Sequence, residues 1–190
     1  MSHLNLPLHI RNFRRGDEPA LRALFYAAVH GLACQDYTPG QLNAWAPAVY
    51  DPAAWNERIQ SNRPFVAEAP DLSGVGLDKG EATACANGEN NAIAGFADLQ
   101  ATGYIDHFFV APAFARQGVA RALMAHVHAQ AAARGITQLH ADVSLTAEPF
   151  FAANGFVVQE RQQVEPLRVV LCNARMVKTL GFAVPPTENS

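Results

Sequence analysis

Cysteine is scarce. Cys34, Cys85 and Cys172 are odd in number and far apart, which argues against a disulfide framework and for a reducing compartment. Charge is scarce too. Asp, Glu, Lys and Arg make up 16 % of the 190 residues and the net charge is −3, so no basic footprint marks a nucleic-acid binder. No apolar run is long enough to span a bilayer, so no membrane partner is expected. Met1-Ser2-His3-Leu4-Asn5 lacks the basic start and apolar core of a secretory signal, and a cytoplasmic protein is expected. The seven histidines show no ligand spacing. His126 and His128 stand two apart on a helical stretch and point to different faces, so no metal is expected. Neither Gly-x-x-x-x-Gly-Lys-Ser/Thr nor Gly-x-Gly-x-x-Gly occurs, and there is no internal repeat. What remains is the profile of a globular chain. It is 49 % hydrophobic and long enough for a real core, and one domain over residues 1–190 is expected.

One stretch organises the rest. Tyr104 to Val110 alternates and is rich in aromatic and β-branched residues, which predicts a strand. Ala111-Pro112 stops it, because proline cannot donate to a sheet ladder. Ala115 to Arg121 then opens an alanine-rich helix whose buried stripe is Val119, Leu123, Val127 and Ala131. Gly135 is placed for a left-handed cap. The first amides of a helix have no internal partner and sit at the positive end of its dipole, so they bind anions. Gly118 and Ala120 leave room for a phosphate there, with Arg116 and Arg121 beside it.

This stretch resembles a known family. Arg116-Gln117-Gly118-Val119-Ala120 is similar to the pyrophosphate loop of GCN5-related N-acetyltransferases, whose pattern is Gln/Arg-x-x-Gly-x-Gly/Ala. Phe108-Phe109-Val110 resembles their acetyl-coenzyme A strand, and Ala147 to Phe156 their next helix with its terminal Gly-Phe. One position departs: Ala115 stands where the pattern has Gln or Arg. The resemblance covers about residues 10–180 and implies an acetyl-coenzyme A-dependent N-acyltransferase on a small-molecule or peptide amine, monomeric or homodimeric. The alternative is a non-catalytic acyl-coenzyme A-binding module.

Around that centre the chain reads in order. Leu8 to Phe13 is a first strand, and Asp17 with Pro19 starts a helix. Thr38-Pro39-Gly40-Gln41 is a capping box, and Asp51-Pro52 starts a third helical piece running to about Gln60. Pro64 to Ala69 and Ala92 to Gln100 are strands joined by a long excursion, 70–91, expected to be mobile. Ala101-Thr102-Gly103 turns the latter strand into Tyr104–Val110, so those two are antiparallel. Leu139, Ala141 and Val143 alternate in a strand expected to run parallel to Tyr104–Val110, since a crossover helix lies between. Thr146 is placed to cap a short helix that Gly155 ends. Phe156–Val164 and Arg168–Lys178 are two more strands, and 181–190 is a tail expected to fray. The fold class is α/β (α+β): a mixed, mostly antiparallel seven-stranded sheet flanked by helices. The resemblance adds that the fourth and fifth strands splay and that the pantetheine arm fills the gap.

Acyl transfer needs a polarised carbonyl, an amine that loses its proton and a stabilised thiolate. Backbone N–H groups near Phe109 and Val110 are placed to polarise. By strand alternation Tyr104, Asp106, Phe108 and Val110 share one face, with His107 opposite. A carboxylate on that face is where the resemblance implies the proton acceptor, so Asp106 is the first catalytic candidate. His30, whose imidazole is a residue type that can accept a proton, and Tyr37 are further candidates on the helical side, near Trp45. The resemblance implies that Phe108, Phe109, Val110, Arg116, Gln117, Gly118, Val119, Ala120, Arg121, Ser144 and Phe151 contact the cofactor. Phe151 stands where the family often has a tyrosine acid, and Ser144 where it often has asparagine. Cys172 reads as a small strand hydrophobe.

Overall fold

The computed structural model describes residues 7–70 and 91–181. The excursion expected over 70–91 and the tail expected over 181–190 lie outside them, their flanking residues apart. Among the described residues the chain forms two four-stranded sheets and five α-helices.

The first sheet has the order β1 (His9–Asn12), β2 (Phe65–Pro70), β3 (Asn91–Ala97), β5 (Phe108–Val110), all antiparallel. Between β1 and β2 the chain makes α1 (Glu18–Leu32), α2 (Pro39–Trp45) and α3 (Pro52–Asn62). Thr38 caps α2 through the expected box with Gln41, and Asp51 caps α3 by accepting from the amides of Ala53 and Ala54. Asp17 occupies the N-cap of α1 but makes no side-chain cap. Its carboxylate instead takes Arg11, at 2.7 and 2.9 Å, because that buried guanidinium needs a counter-charge.

The second sheet has the order β4 (Tyr104–Ile105), β6 (Gln138–Ser144), β8 (Leu171–Thr179), β7 (Val157–Val164). β4 and β6 are parallel, as the crossover through α4 (Val119–Ala133) requires. Between β6 and β7 lies α5 (Glu148–Ala153). Thr146 does not cap it; the N-cap is Ala147, and the Thr146 hydroxyl donates to Asp36 at 2.6 Å. The last strand starts at Leu171 rather than Arg168, because Pro166–Arg168 forms a 3-10 turn with Leu167 and Arg168 at positive φ.

The expected strand Tyr104–Val110 is two strands. Ile105 pairs with Ala141 in the second sheet, while Phe108 pairs with Ala97 in the first. Between them Asp106 and His107 leave the ladder, and both their amides donate to Asp98 Oδ1, at 2.7 and 3.3 Å. Beyond this break β5 and β6 no longer pair, so the two sheets part.

The layers follow from the apolar faces. Leu21, Leu24 and Ala28 of α1 and Ile59 of α3 pack on Val66 and Phe96, covering one face of the first sheet. Val119, Leu123, Val127 and Ala131, each at most 1 % exposed, pack α4 on the other face with Phe65, Ala67 and Leu139. The helix starts at Val119, later than Ala115, after a turn in which Arg116 and Gly118 take φ of 62° and 91°. Gly95 lets it approach: a Cβ there would meet Phe109 O at 2.8 Å and Val119 Cγ1 at 3.0 Å.

Candidate active site

Where the sheets part there is a cavity of about 130 Å³. Phe108, Val110, Ala141, Val143 and Phe151 line it from the α4–α5 side, and Ala28, Val29, Trp45 and Phe109 from the α1–α2 side. Neighbours on one strand, Phe108 and Phe109, face opposite layers, yet both line it. The cavity therefore passes through the gap between the sheets. Phe109 is held in place by Phe25, edge-on at 4.8 Å, and Trp45 at 6.4 Å. Phe151 is 3 % exposed and sits edge-on to Phe108 at 5.4 Å. It has no proton to donate. Ser144 lines the same wall, and its Oγ accepts from the Ala147 amide at 3.3 Å.

The strand edge at the gap is polar. Asp98 N donates to His107 O and Ala111 N donates to Ala94 O. In an antiparallel pair bonding alternates, so Phe109 bonds to β3, and the N–H groups of Phe108 and Val110 face the cavity. Of the strand amides near Phe109 and Val110 that the sequence singles out, those of Phe108 and Val110 are the ones not bonded to β3.

Next to the cavity comes the turn before α4. Gly118 is its N-cap and makes no side-chain cap. The amides of Val119, Ala120 and Arg121 donate to no partner within the described residues, and Ala122 is the first to donate back, to Gly118 O at 3.0 Å. Three outward donors at the positive helix end suit a phosphate. No heavy atom lies within 4 Å of a Cβ built on Gly118, so the approach is open. Only glycine takes φ near 91° without strain. Arg116 and Arg121 are exposed beside it, and Gln117 Nε2 braces the turn by donating to Ala113 O at 2.7 Å. Val119 points into the core, leaving only its backbone to the turn.

At the other mouth stands Asp106. The break in the strand turns it to the α3 side, away from the face of Phe108 and Val110 that alternation predicts. Arg58 donates to it twice, at 2.8 and 2.6 Å, and Asn62 Nδ2 once, at 2.8 Å. Burial acts to raise its carboxyl, but the Arg58 hydrogen bonds, the neighbouring charges and Asn62 outweigh it and hold the group below the usual carboxylate range. It is an anion at neutral pH. Asp142, also on the wall, takes Arg175 at 2.6 and 3.0 Å and the Tyr104 hydroxyl at 3.2 Å. Burial and Asp142 push the Tyr104 phenol up to about 12, so it stays neutral. Asp98, Asp106 and His107 bring ligand atoms within 4.8 Å of one another. Arg58 already places a cation on Asp106, and amides saturate Asp98 Oδ1, so the cluster reads as a hydrogen-bond network rather than a metal site.

The structure brings Asp106, Phe108, Phe109, Val110, Ser144 and Phe151 together around one cavity. It does not bring His30 or Tyr37 to the wall. His30 Nε2 lies 3.0 Å from Ala46 O, with the ring stacked on Tyr26. Tyr37 is buried; its hydroxyl donates to Cys172 O at 2.7 Å and accepts from the Leu145 amide at 3.0 Å. Burial raises the Tyr37 phenol, so it acts as a tie between β8 and the β6–α5 turn. Sequence reasoning missed Arg58, Asn62, Asp98 and Asp142. Two signals were available: an aspartate inside a strand is unfavourable and asks for a reason, and Arg58 and Asn62 are four apart on one helix face.

Comparison with known proteins bears on this geometry. Residues 75–170 match the family model described as the acetyltransferase (GNAT) domain. The chain is 32 % identical over 158 residues to the uncharacterized N-acetyltransferase YafP of Escherichia coli K12, covering 83 % of this chain and 87 % of that protein. A GCN5-related N-acetyltransferase from Rhodopseudomonas palustris superposes with a TM-score of 0.76 at 28 % identity, over 95 % of this chain and 99 % of the other. The PaiA N-acetyltransferase of Thermoplasma acidophilum, solved with coenzyme A, shares the fold at a TM-score of 0.64 and 14 % identity, over 92 % of this chain and 100 % of that one. With a loop of outward amides before α4 and a cavity through the parted sheets, the chain belongs to the GNAT family and is an acetyl-coenzyme A-dependent N-acetyltransferase.

Proposed function

We propose that this enzyme moves the acetyl group to a primary amine of a small molecule or peptide that enters from the α1–α3 side and meets Asp106. The observation that carries this reading is the cavity through the sheet. It has free strand amides in the gap and an ionised carboxylate at one mouth.

The pyrophosphate of acetyl-coenzyme A rests on the amides of Val119 to Arg121, since the Gln117 amide is already spent on Phe114 O at 3.4 Å, with Arg116 and Arg121 adding charge. The pantetheine arm runs into the gap past Ser144 and Phe151, and the thioester lies beside Phe108 and Val110. Their N–H groups stabilise the oxyanion that forms when the amine nitrogen attacks the carbonyl. The new C–N bond forms, the C–S bond breaks, and its electron pair leaves with sulfur. A thiolate is a good leaving group, so Phe151 supplies no acid and none is required. The amine loses its proton to Asp106 or to a water that Asp106 orients. Pairing with Arg58 weakens Asp106 as a base, which favours the water route and an added role in holding the ammonium before it deprotonates. His30 and Tyr37 take no proton, because their polar atoms serve Ala46, Cys172 and Leu145.

Thiol release on mixing the protein with acetyl-coenzyme A and a library of primary amines tests this. Release with at least one amine, together with the acetylated amine in the mass spectrum, is expected. Tight coenzyme A binding with no release on any amine would overturn the reading.

A further inference from the structure

Asp98 is 0 % exposed, among the largest fully buried side chains of the molecule. A buried carboxylate is costly unless its oxygens are satisfied. Here they are, and the partners are informative. Oδ1 takes the backbone N–H of Asp106 at 2.7 Å and of His107 at 3.3 Å. Oδ2 lies 2.6 Å from His107 Nδ1 and 3.0 Å from Asn62 Nδ2. One carboxylate thus stands in for the strand that would otherwise have paired at this point. The same Asn62 amide reaches on to Asp106 Oδ2 at 2.8 Å. His107 is clamped from the other side by Phe96 at 5.7 Å and Trp55 at 5.8 Å.

We infer that Asp98 is a positioning residue for acetyl transfer: it holds the strand break open and, through Asn62, fixes the Asp106 carboxylate at the cavity mouth. The chain of cause is local. Without Asp98, the two amides lose their acceptor and the strand can close on β6 or collapse. The cavity then narrows, and Asp106 turns back toward the face that simple alternation gives it. Arg58 alone cannot prevent this, because its long side chain is 57 % exposed, whereas Asp98 is fully buried directly after β3 and holds Asn62 by a hydrogen bond. The cofactor loop lies beyond β5 and does not depend on these bonds. The inference rests on the reading that the acceptor meets Asp106.

The test uses the full chain and three variants: Asp98→Ala, Asn62→Ala and Asp106→Asn. Hydrogen exchange followed by NMR reads the amides of Asp106, His107 and Phe109. In the parent the first two exchange about a thousandfold slower than exposed amides, although no strand pairs with them. In Asp98→Ala they speed up by about a hundredfold, while the Phe109 amide, bonded to β3, keeps its protection and reports that the sheet is intact. Thiol release from acetyl-coenzyme A with a fixed mixture of butylamine, phenethylamine, spermidine and glycine reads turnover. It falls at least tenfold in Asp98→Ala and about tenfold in Asn62→Ala, with coenzyme A affinity by calorimetry unchanged in both. Fast exchange of the Asp106 and His107 amides in the parent overturns the inference. So does full turnover in both Asp98→Ala and Asn62→Ala beside a dead Asp106→Asn. If Asp98→Ala does not fold, Asn62→Ala decides: normal turnover there sinks the positioning role. Should Asp106→Asn itself turn over normally, the reading of the acceptor site fails instead, and the exchange data still judge Asp98's hold on the break.

Discussion

The two mouths of the cavity are made of different material. On the α4 side the polar groups are backbone amides from one continuous stretch, Phe108 to Arg121. On the α3 side they are side chains from distant places: Arg58 and Asp106 are 48 positions apart, Asn62 and Asp98 36. The difference shows what each mouth tolerates. A backbone donor survives most side-chain changes, so Ala115 can stand where the family has Gln or Arg without altering the turn. A side-chain network has no such slack, because each member satisfies the charge of another.

If that contrast is right, the backbone mouth should break only where its geometry breaks. Gly118→Asp adds a left-handed penalty and a negative charge at the positive end of α4. Coenzyme A affinity by calorimetry should fall by roughly a hundredfold or more, with the melting temperature lowered only slightly. Unchanged affinity would show that the amides of this turn do not hold the cofactor.

The side-chain mouth should break at single atoms. Asp106→Asn keeps the shape and loses the charge. A positioned base or water orienter contributes on the order of a hundred- to ten-thousand-fold, so kcat should drop at least tens-fold while coenzyme A still binds. A normal kcat on the true acceptor would remove Asp106 from the reaction.

Arg58→Met sharpens the point through pH. In the parent, the Asp106 carboxyl sits below its ordinary value of 3.8, despite burial, chiefly because of Arg58, with His107 and Asn62 adding to it. A depressed carboxyl stabilises the fold above the unfolded value and loses that contribution as pH falls through the folded one. The parent should therefore show no limb from Asp106 above about pH 4. With Arg58 gone, only His107 and Asn62 are left to oppose burial, and the carboxyl rises from its depressed position. The acidic limb of the pH–rate profile should move to higher pH than in the parent, and the acid loss of melting temperature should begin at higher pH as well. Superimposable profiles would mean that Arg58 does not govern Asp106.

The smallest effect belongs to a residue outside both mouths. Tyr37→Phe removes the bonds to Cys172 O and the Leu145 amide. It should cost about 1 kcal/mol of stability in a urea titration and leave kcat and coenzyme A affinity alone. A tenfold loss of kcat with unchanged stability would return Tyr37 to the chemistry.

Much of this was legible beforehand, and unevenly so. The α4 stripe, the capping box of α2, the antiparallel β3–β5 pair and the parallel β4–β6 pair all follow from local periodicity and chain connectivity. Phe108, Phe109, Val110, Ser144 and Phe151, which the family resemblance named as cofactor contacts, line one cavity. Strand alternation failed at Asp106, because alternation assumes an unbroken ladder and Asp98 interrupts it from eight residues away. Tyr37 and His30 were grouped correctly on the helical side. Where their hydroxyl and ring nitrogen end, at Cys172, Leu145 and Ala46, depends on packing that no local pattern encodes.

The sequence by itself determined the elements, their order, the anion-ready turn and the family. Each depends on neighbours within a few residues or on chain direction, where propensity and hydrogen-bond geometry act directly. Only the tertiary structure decided where the sheets part, which way Asp106 faces and which arginine neutralises it. Those outcomes balance the desolvation of buried carboxylates against partners brought from α3, β4, β8 and the strand break, and that balance exists only once the chain has folded.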